Sequence, residues 1–376
     1  MPVREIDEGL ECVLVAIEKA ATDMVPGLDE EPQTLSLIYG MIQAYDRYWR
    51  DVQAGVTLLD SEVELSTTML NPETGRESRT WSLGGKIDKL VEWEGRVLVD
   101  HKTTSENIED PAGSYWRHLR IQKQPQMYEL LLLANELKVD RVIWDVIRKP
   151  RIRPKKISAA TAKEVQETGS YCGVKMGSDD LLWAIDKVES PFMYESRVIE
   201  LMLNESSAYL ARRSIPRLGN ELIDYATEVW TIGQEMRKAR VDGANYQNES
   251  ACFIYNRPCE YLGICSGHDY PESDQWVTND LTHPELDGDL AKDNDLLTNS
   301  RMKCFAQCRR KHLYRYDMRL RKSSEETPEA LLFGTLWHAA MDAWWATRSQ
   351  GENNGAREES TAIEVRDSDR AAEAGE

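Results

Sequence analysis

The sequence predicts an α/β core with helical additions. Three observations carry this: an N-terminal region with helical periodicity, a block of three strands followed by a strong helix and a fourth strand, and a second helical region toward the C-terminus. Apolar residues recur at helical spacing through Leu10, Val13, Leu14 and Ile17, then through Leu35, Ile38, Ile42 and Tyr45. Residues 5–52 therefore read as helices, broken at Pro26-Gly27. Residues 62–70 alternate, Asn71-Pro72 turns the chain, and 80–92 and 96–103 are two further strands joined at Glu94-Gly95. Residues 122–137 read as a helix with LLLLA on its buried side, and 139–146 as the next strand. Beyond this, 158–188 read as mostly helical, 192–201 as a strand, 220–241 as a long amphipathic helix, 274–295 as a polar linker, and 297–319 and 330–347 as helices. From Gly351 the sequence is acidic and aperiodic, which predicts a disordered tail.

With 376 residues and 41% hydrophobic side chains, the chain can bury a sizeable core in one large domain or two modest ones. No stretch approaches the ~18 consecutive apolar residues of a membrane span, and the first residues lack the pattern of a cleaved leader. The expectation is a soluble, cytoplasmic protein. Seven cysteines, an odd number, argue against a disulfide framework and favour metal binding for any cluster. The net charge of -19 opposes long-range attraction to phosphate. Yet residues 301–322 hold nine Lys/Arg against one acid, and 148–156 hold six against none. Two such runs in an acidic chain point to an anionic ligand held locally. Arg301, Lys303, Arg309, Arg310 and Lys311 in the first, and Arg148 and Lys149 in the second, are the candidate phosphate contacts.

The chemistry is concentrated in Gly84-Gly85-Lys86-Ile87-Asp88 and in Asp100-His101-Lys102. Hydrolysis of a phosphodiester needs a hard divalent cation on oxygen ligands, with a water made nucleophilic beside it. Asp100 and Lys102 are two apart on a strand, so their side chains leave the same face. Lysine there can orient the water and offset charge on the reacting phosphate. Asp88 closes the preceding strand, across a short turn, so both acids are expected at one place.

An apolar strand entering Asp100, a G-x-I-D before it and a helix with Gln124-x-x-x-Tyr128 after it together resemble the RecB-like branch of the PD-(D/E)xK nucleases, whose marks are GxxD, D-x-K and Q-x-x-x-Y. The resemblance spans residues 58–137. It implies a restriction-endonuclease-like core, a small mixed sheet flanked by helices. It also implies Asp88 and Asp100 as ligands of Mg2+ or Mn2+, the carbonyl of His101 as a further ligand, Lys102 as catalytic, and Gln124 with Tyr128 ordering the site and touching DNA; Gln126 competes with Gln124 for the motif position. The branch also carries a histidine in G-x-x-x-H on an apolar helix, which implies metal ligation by His338 in Gly334-Thr335-Leu336-Trp337-His338.

Cys252, Cys259 and Cys265, with x6 and x5 between them and Pro258 and Gly263 to turn the chain, can converge on one metal centre. A four-thiolate site needs one more, from Cys308, Cys304, Cys172 or Cys12. The segment around Cys308 resembles the helix that supplies the lone distant cysteine of RecB-like nucleases with a 4Fe-4S cluster. The x6 spacing, and Arg309 where proline is common, depart from that pattern, and a structural Zn2+ suits four thiolates as well.

In the resembled family the lone-cysteine and G-x-x-x-H helices precede the GxxD strand; here they follow it, at 297–347. A circular permutation accounts for this: residues 1–288 carry a helical region (1–55), the catalytic sheet (56–150) and the Cys-rich segment (252–265), residues 289–350 complete the same domain, and 351–376 form the tail. The functional expectation is a metal-dependent DNA exonuclease acting on single strands or ends, in recombination, repair or phage replication. The alternatives are a catalytically silent iron–sulfur DNA-binding module and a CRISPR-adaptation nuclease. The chain has no GxxxxGK[ST] loop, so unwinding would fall to a helicase or recombination partner.

Overall fold

The computed structural model describes residues 7–24, 32–214, 216, 219–254, 257–323 and 329–349. The break foreseen at Pro26-Gly27, Met1 and the tail 351–376 lie outside the described residues.

The N-terminal helices are α1 (Glu8–Met24) and α2 (Pro32–Gln53). Three strands follow, β1 (Thr57–Leu70), β2 (Glu77–Glu92) and β3 (Arg96–Thr104), then helices α3 (Ser114–Arg120) and α4 (Gln124–Ala134) and strand β4 (Arg141–Arg148). Strand β1 is antiparallel to β2, β2 to β3, and β3 runs parallel to β4. The parallel pairing requires a crossover, which α3 and α4 supply. Strand β3 is buried on both faces, as its RVLVD run requires: Val97 and Val99 pack toward α1 and α2, and Leu98 toward α4. Of the LLLLA stretch, Leu131 and Leu132 are buried, but Leu133 is 58% exposed, so the run is wider than the buried stripe of α4.

After β4 the chain makes a small subdomain of α5 (Ala159–Thr168), a hairpin of β5 (Ser170–Tyr171) and β6 (Val174–Lys175), and α6 (Ser178–Ile185). The expected strand at 192–201 is instead helix α7 (Pro191–Asn204). Ser190 caps it by accepting the Met193 N–H, and Pro191 sits in its first turn. Its apolar residues Tyr194, Val198, Ile199 and Met202 fill one helical face against α2, while the polar Glu195 and Ser196, buried as well, blur its period in the sequence. The strand lies further on: after the one-turn α8 (Ser206–Tyr209), β7 (Leu210–Ser214) pairs antiparallel with β4.

Helix α9 (Glu221–Asp242) leads to a hairpin of β8 (Phe253–Ile254) and β9 (Arg257–Pro258) and to α10 (Leu262–Cys265). Residues 274–295 are more than a polar linker. They include β10 (Trp276–Thr278), and Leu286 and Ala291 pack into a small core with Leu296. Strand β11 (Leu296–Leu297) adds parallel to β2 at Ser82 and Leu83. The helical reading of 297–319 is interrupted. Helix α11 (Asn299–Gln307) stops at Cys308, whose backbone is extended, before α12 (Arg309–His312) and a π-turn over Leu313–Asp317. Strand β12 (Leu320–Lys322) pairs with β10, and α13 (Glu329–Arg348) ends the described chain.

The result is three layers. The sheet β1-β2-β3-β4-β7 has α1, α2, α7 and α13 on one face, and α4, α9 and α11 on the other. Two glycines let the layers close on β2: a Cβ at Gly84 would lie 2.7 Å from Leu296, and one at Gly85 would lie 3.3 Å from Tyr128 and Leu131. Helix α13 packs on α1, and Arg348 donates to Asp7 at 2.6 Å, so the residues after the 274–295 segment are built into the same body. No described helix is long and apolar enough to cross a membrane.

Candidate active site

The site forms where β2 and β3 part. Their pairing begins at Lys89 and Val99; one residue earlier, Asp88 has no ladder partner on β3. Its Oδ2 instead accepts the backbone N–H of His101 at 2.9 Å. Asp88 thus lies within β2 rather than closing it, and its carboxylate reaches across to the strand that carries Asp100. Alternation on β3 then sorts the neighbours, with Asp100 and Lys102 on the α4 face and His101 on the α13 face.

Asp100 is fully buried, and its Oδ1 has no hydrogen-bond partner. Its Oδ2 meets the Lys102 Nζ at 2.5 Å, in an ion contact that lacks hydrogen-bond geometry. Lys102 is oriented from the other side, where its Nζ donates to Gln124 Oε1 at 3.1 Å and Gln124 Nε2 donates to the Tyr128 hydroxyl at 2.7 Å. The Trp144 ring lies 5.3 Å from the ammonium. Of the two competing glutamines the geometry therefore brings Gln124 to the lysine; Gln126 is buried elsewhere with its Oε1 unpartnered.

The two acids titrate in opposite directions. Burial pushes Asp100 up to about 7, against the Lys102 charge and with the Asp88 charge adding to the rise. Burial also acts to raise Asp88, but His338, Lys102 and His101 outweigh it and hold this carboxyl below its ordinary value. His338 is on α13 with its Nδ1 3.8 Å from Asp88 Oδ2. The ligating atoms of Asp88, His338 and Glu62 all lie within 4.8 Å of one another.

Glu62 is the site residue the sequence reading missed. It sits mid-strand in β1 with φ of 53°, a conformation few side chains adopt. No motif flags it, because its role depends on the register of β1 against β2. His101 has its ring on Asp145, Nδ1 to Oδ2 3.4 Å, and Asp145 is held in turn by Arg212 and the Tyr45 hydroxyl. The His101 side chain is thus tied into the fold beneath the site. Lys89 is also buried, donating to the Asp88 carbonyl at 2.9 Å and to Asp342 at 3.2 Å.

The donors fit a hard divalent cation. They are carboxylate oxygens with one imidazole, and one buried carboxylate oxygen is left without a partner inside the protein.

The second cluster is equally local. Cys252, Cys259, Cys265 and Cys308 line one pocket, with Tyr261 and Lys311. Cys308 Sγ accepts the Asn248 N–H at 3.4 Å, and burial raises the thiols of Cys259 and Cys265. Cys12 is exposed on α1, Cys172 packs in the α5–α6 subdomain, and Cys304, buried on α11, is not in the pocket lining. Four sulfur donors suit a soft metal centre.

The basic runs divide. Arg301 is fully buried; its Nη1 donates to the carbonyls of Asn294 and Leu296, its Nε to His312, and Asp317 is 3.5 Å away. It is therefore a core residue and cannot reach a phosphate, contrary to the sequence expectation. Arg309 pairs with Glu235 at 2.6 Å, Lys311 with Glu260 at 3.4 Å, and Arg310 donates to the Asn245 carbonyl at 2.5 Å; Lys303 is exposed. The other run borders a groove lined by Ser105, Lys149, Arg151 and Arg153, just past the ends of β3 and β4, with Arg151 and Arg153 exposed. Arg148 packs on Tyr209 and Lys149 over Phe333.

Among curated proteins, no relative matches this chain. A protein-family model does, over residues 10–266 and 297–375, and its description is PD-(D/E)XK nuclease superfamily. The match takes in Asp88, Asp100 and Lys102 as well as His338 on the far side of the interval at 267–296. A mixed sheet flanked by helices, carrying an acid pair and a lysine where two strands part, is what that fold is built around, and the chain belongs to the PD-(D/E)XK nuclease superfamily.

Proposed function

We propose that this protein is a divalent-cation-dependent deoxyribonuclease that degrades DNA from ends. The observation that carries the reading is Asp100: a buried carboxylate with one oxygen free of partners, beside a lysine fixed by Gln124. Asp88 and Asp100 would hold the cation with the carbonyl of His101, and His338 would add an imidazole. A cation there would polarise a phosphate and make a bound water more acidic. Lys102 would orient the attacking water and offset charge on the phosphate; the water oxygen bonds to phosphorus, the P–O bond to one nucleoside breaks, and the leaving oxygen takes up a proton given up by the water. Gln124 and Tyr128 keep the lysine ammonium on this line. The groove of Lys149, Arg151 and Arg153 supplies phosphate contacts next to the strand ends. End dependence rests on the resemblance to RecB-like exonucleases, and such an enzyme would work beside a helicase or recombination partner.

Cys252, Cys259, Cys265 and Cys308 would hold a 4Fe-4S cluster, with structural Zn2+ the rival, joining distant parts of the chain rather than acting in hydrolysis. We read the motif order as a circular permutation. The approach of His338 to Asp88, and of Cys308 to the other three cysteines, supports this, since both cross the 274–295 segment.

The test is digestion of end-labelled linear DNA beside covalently closed circles, with Mg2+ or Mn2+ and with chelator. The reading expects cation-dependent loss of linear DNA and survival of circles; equal cleavage of both would remove the end dependence.

A further inference from the structure

We propose that Asp145 and Arg212 are positioning residues, which act on the acid–lysine pair through the side chain of His101. The inference rests on the nuclease reading above, because it concerns how that site is held in shape.

The sheet sets the three side chains in one row. His101 on β3 is the register partner of Asp145 on β4, and Asp145 is the partner of Arg212 on β7. Residues directly opposite one another in neighbouring strands leave the same face of a sheet. His101 Nδ1 stands 3.4 Å from Asp145 Oδ2, which accepts the Arg212 Nε–H at 3.1 Å and the Tyr45 hydroxyl. The far side of Arg212 is held as well. Its Nη1 donates to Gln53 Oε1 at 3.1 Å, and its Nη2 to the Tyr45 hydroxyl at 2.6 Å. Gln53 donates in turn to Ser349 at 2.7 Å, and the rings of Trp49 and Trp345 lie 4.6 and 5.1 Å from the guanidinium.

The part of β3 that carries the chemistry needs such a hold. The ladder from β2 to β3 reaches Val99 but not Asp100, His101 or Lys102. Beyond Val99 the strand has β4 on one side, and on the other the Asp88 carboxylate, which accepts the His101 N–H. Fixing the His101 ring on one face fixes the backbone there, and with it the direction in which Asp100 and Lys102 leave the other face. Stability alone does not call for charges at this place. The side chains of Asp145 and Arg212 are 1% and 3% exposed, and desolvation offsets much of the attraction in a buried ion pair, so an apolar pair would fill the core as well. What the ions add is direction, aimed at the His101 ring.

The experiment compares three forms of the full-length protein with wild type: His101→Phe, His101→Asn, and Asp145→Leu combined with Arg212→Met. Phenylalanine fills the space of the ring without its donor, while asparagine places an amide N–H near the position of Nδ1. The double substitution removes both charges together, so neither is left buried alone. Each form is read by melting in chelator, by hydrogen exchange at the backbone amide of position 101 in chelator, and by kcat and KM on linear DNA with Mn2+. His101→Phe and the double variant should melt near wild type and exchange this amide about tenfold faster or more. Both should lose about tenfold to a hundredfold in kcat with KM little changed. His101→Asn should stay near wild type in all three readouts. Wild-type kcat and exchange in folded His101→Phe, or in the folded double variant, would overturn the proposal and leave the nuclease reading intact. So would a loss as large in folded His101→Asn as in His101→Phe, since the ring and not its link to Asp145 would then matter. No cleavage by wild type would overturn the nuclease reading, while the exchange rates would still decide whether the row holds position 101.

Discussion

Asp88 Oδ2 accepts the His101 N–H at 2.9 Å, so a metal-ligand candidate also closes the gap where two strands separate. The two duties can be separated by substitution. Asp88→Asn keeps an acceptor oxygen and should fold with little loss of stability while cleavage disappears. Asp88→Ala leaves a buried N–H unsatisfied and should be destabilised by about 1–3 kcal/mol as well. Urea unfolding together with a cleavage assay checks both. Equal stability of the two variants would refute the structural duty.

Gln124 accepts a hydrogen bond from the Lys102 ammonium, and the proposed mechanism has it act through that lysine. Gln124→Ala should lower kcat by about tenfold to a hundredfold with little change in KM, since the lysine loses its orientation while substrate contacts remain. Gln126→Ala should leave kcat near wild type. A larger effect from Gln126 would reassign the motif glutamine.

The cysteine pocket predicts metal content. Protein purified without oxygen should be brown, with iron and sulfide in about equal amounts if the centre is a cluster. Cys308→Ser should lose the metal and unfold at lower temperature, because thiolate binding is coupled to folding. Cys172→Ser should keep it. A colourless wild type with one zinc would replace the cluster with a zinc site.

Two buried groups set opposite pH trends. Burial, aided by the Arg301 and Arg240 charges, lowers His312 to about 3, so its contribution to stability is complete above the unfolded value near 6.5 and is lost as pH falls through the window toward 3. Asp100, raised to about 7, works the other way: its folded form prefers the proton, and stability falls as pH rises from about 4 through 7. In chelator, Asp100→Asn should therefore melt higher than wild type at pH 8. In that background, stability should drop as pH is lowered from 7 to 5. A wild type more stable than Asp100→Asn at pH 8 in chelator would contradict the burial argument.

Arg301 and Arg151 should separate fold from binding. Arg301→Ala removes the donor to the carbonyls of Leu296, which is buried, and Asn294, and should cost about 1–3 kcal/mol. Arg151→Ala with Arg153→Ala should keep stability but weaken DNA binding and flatten its salt dependence. Fluorescence anisotropy at several salt concentrations measures this. Unchanged affinity in the double variant would move the DNA path away from the groove.

The order of the first four strands and the acid–lysine pair were legible because period-two alternation and the D-x-K spacing are local. Helix α7 was not, since its first turns are buried on both sides, with Phe192 and Met193 toward the α5–α6 subdomain and Tyr194 and Val198 toward α2, and the polar Glu195 and Ser196 are buried with them, leaving Glu200 and Asn204 to mark its exposed side. Glu62 was hidden for a different reason: only the pairing of β1 with β2 brings it to Asp88. Arg301 misled because a basic run looks the same whether its charges meet phosphate or, as with Asp317, an acid of the same chain.

The central claim is that Asp100 and Lys102 hydrolyse DNA with a divalent cation, and end-labelled linear DNA incubated with Mn2+ tests it most directly. Wild type should release labelled nucleotides, and Asp100→Ala or Lys102→Ala should reduce the rate by about a thousandfold or more while keeping the fold and the metal colour. Undiminished cleavage by folded Asp100→Ala, or by wild type in excess EDTA, would contradict the account.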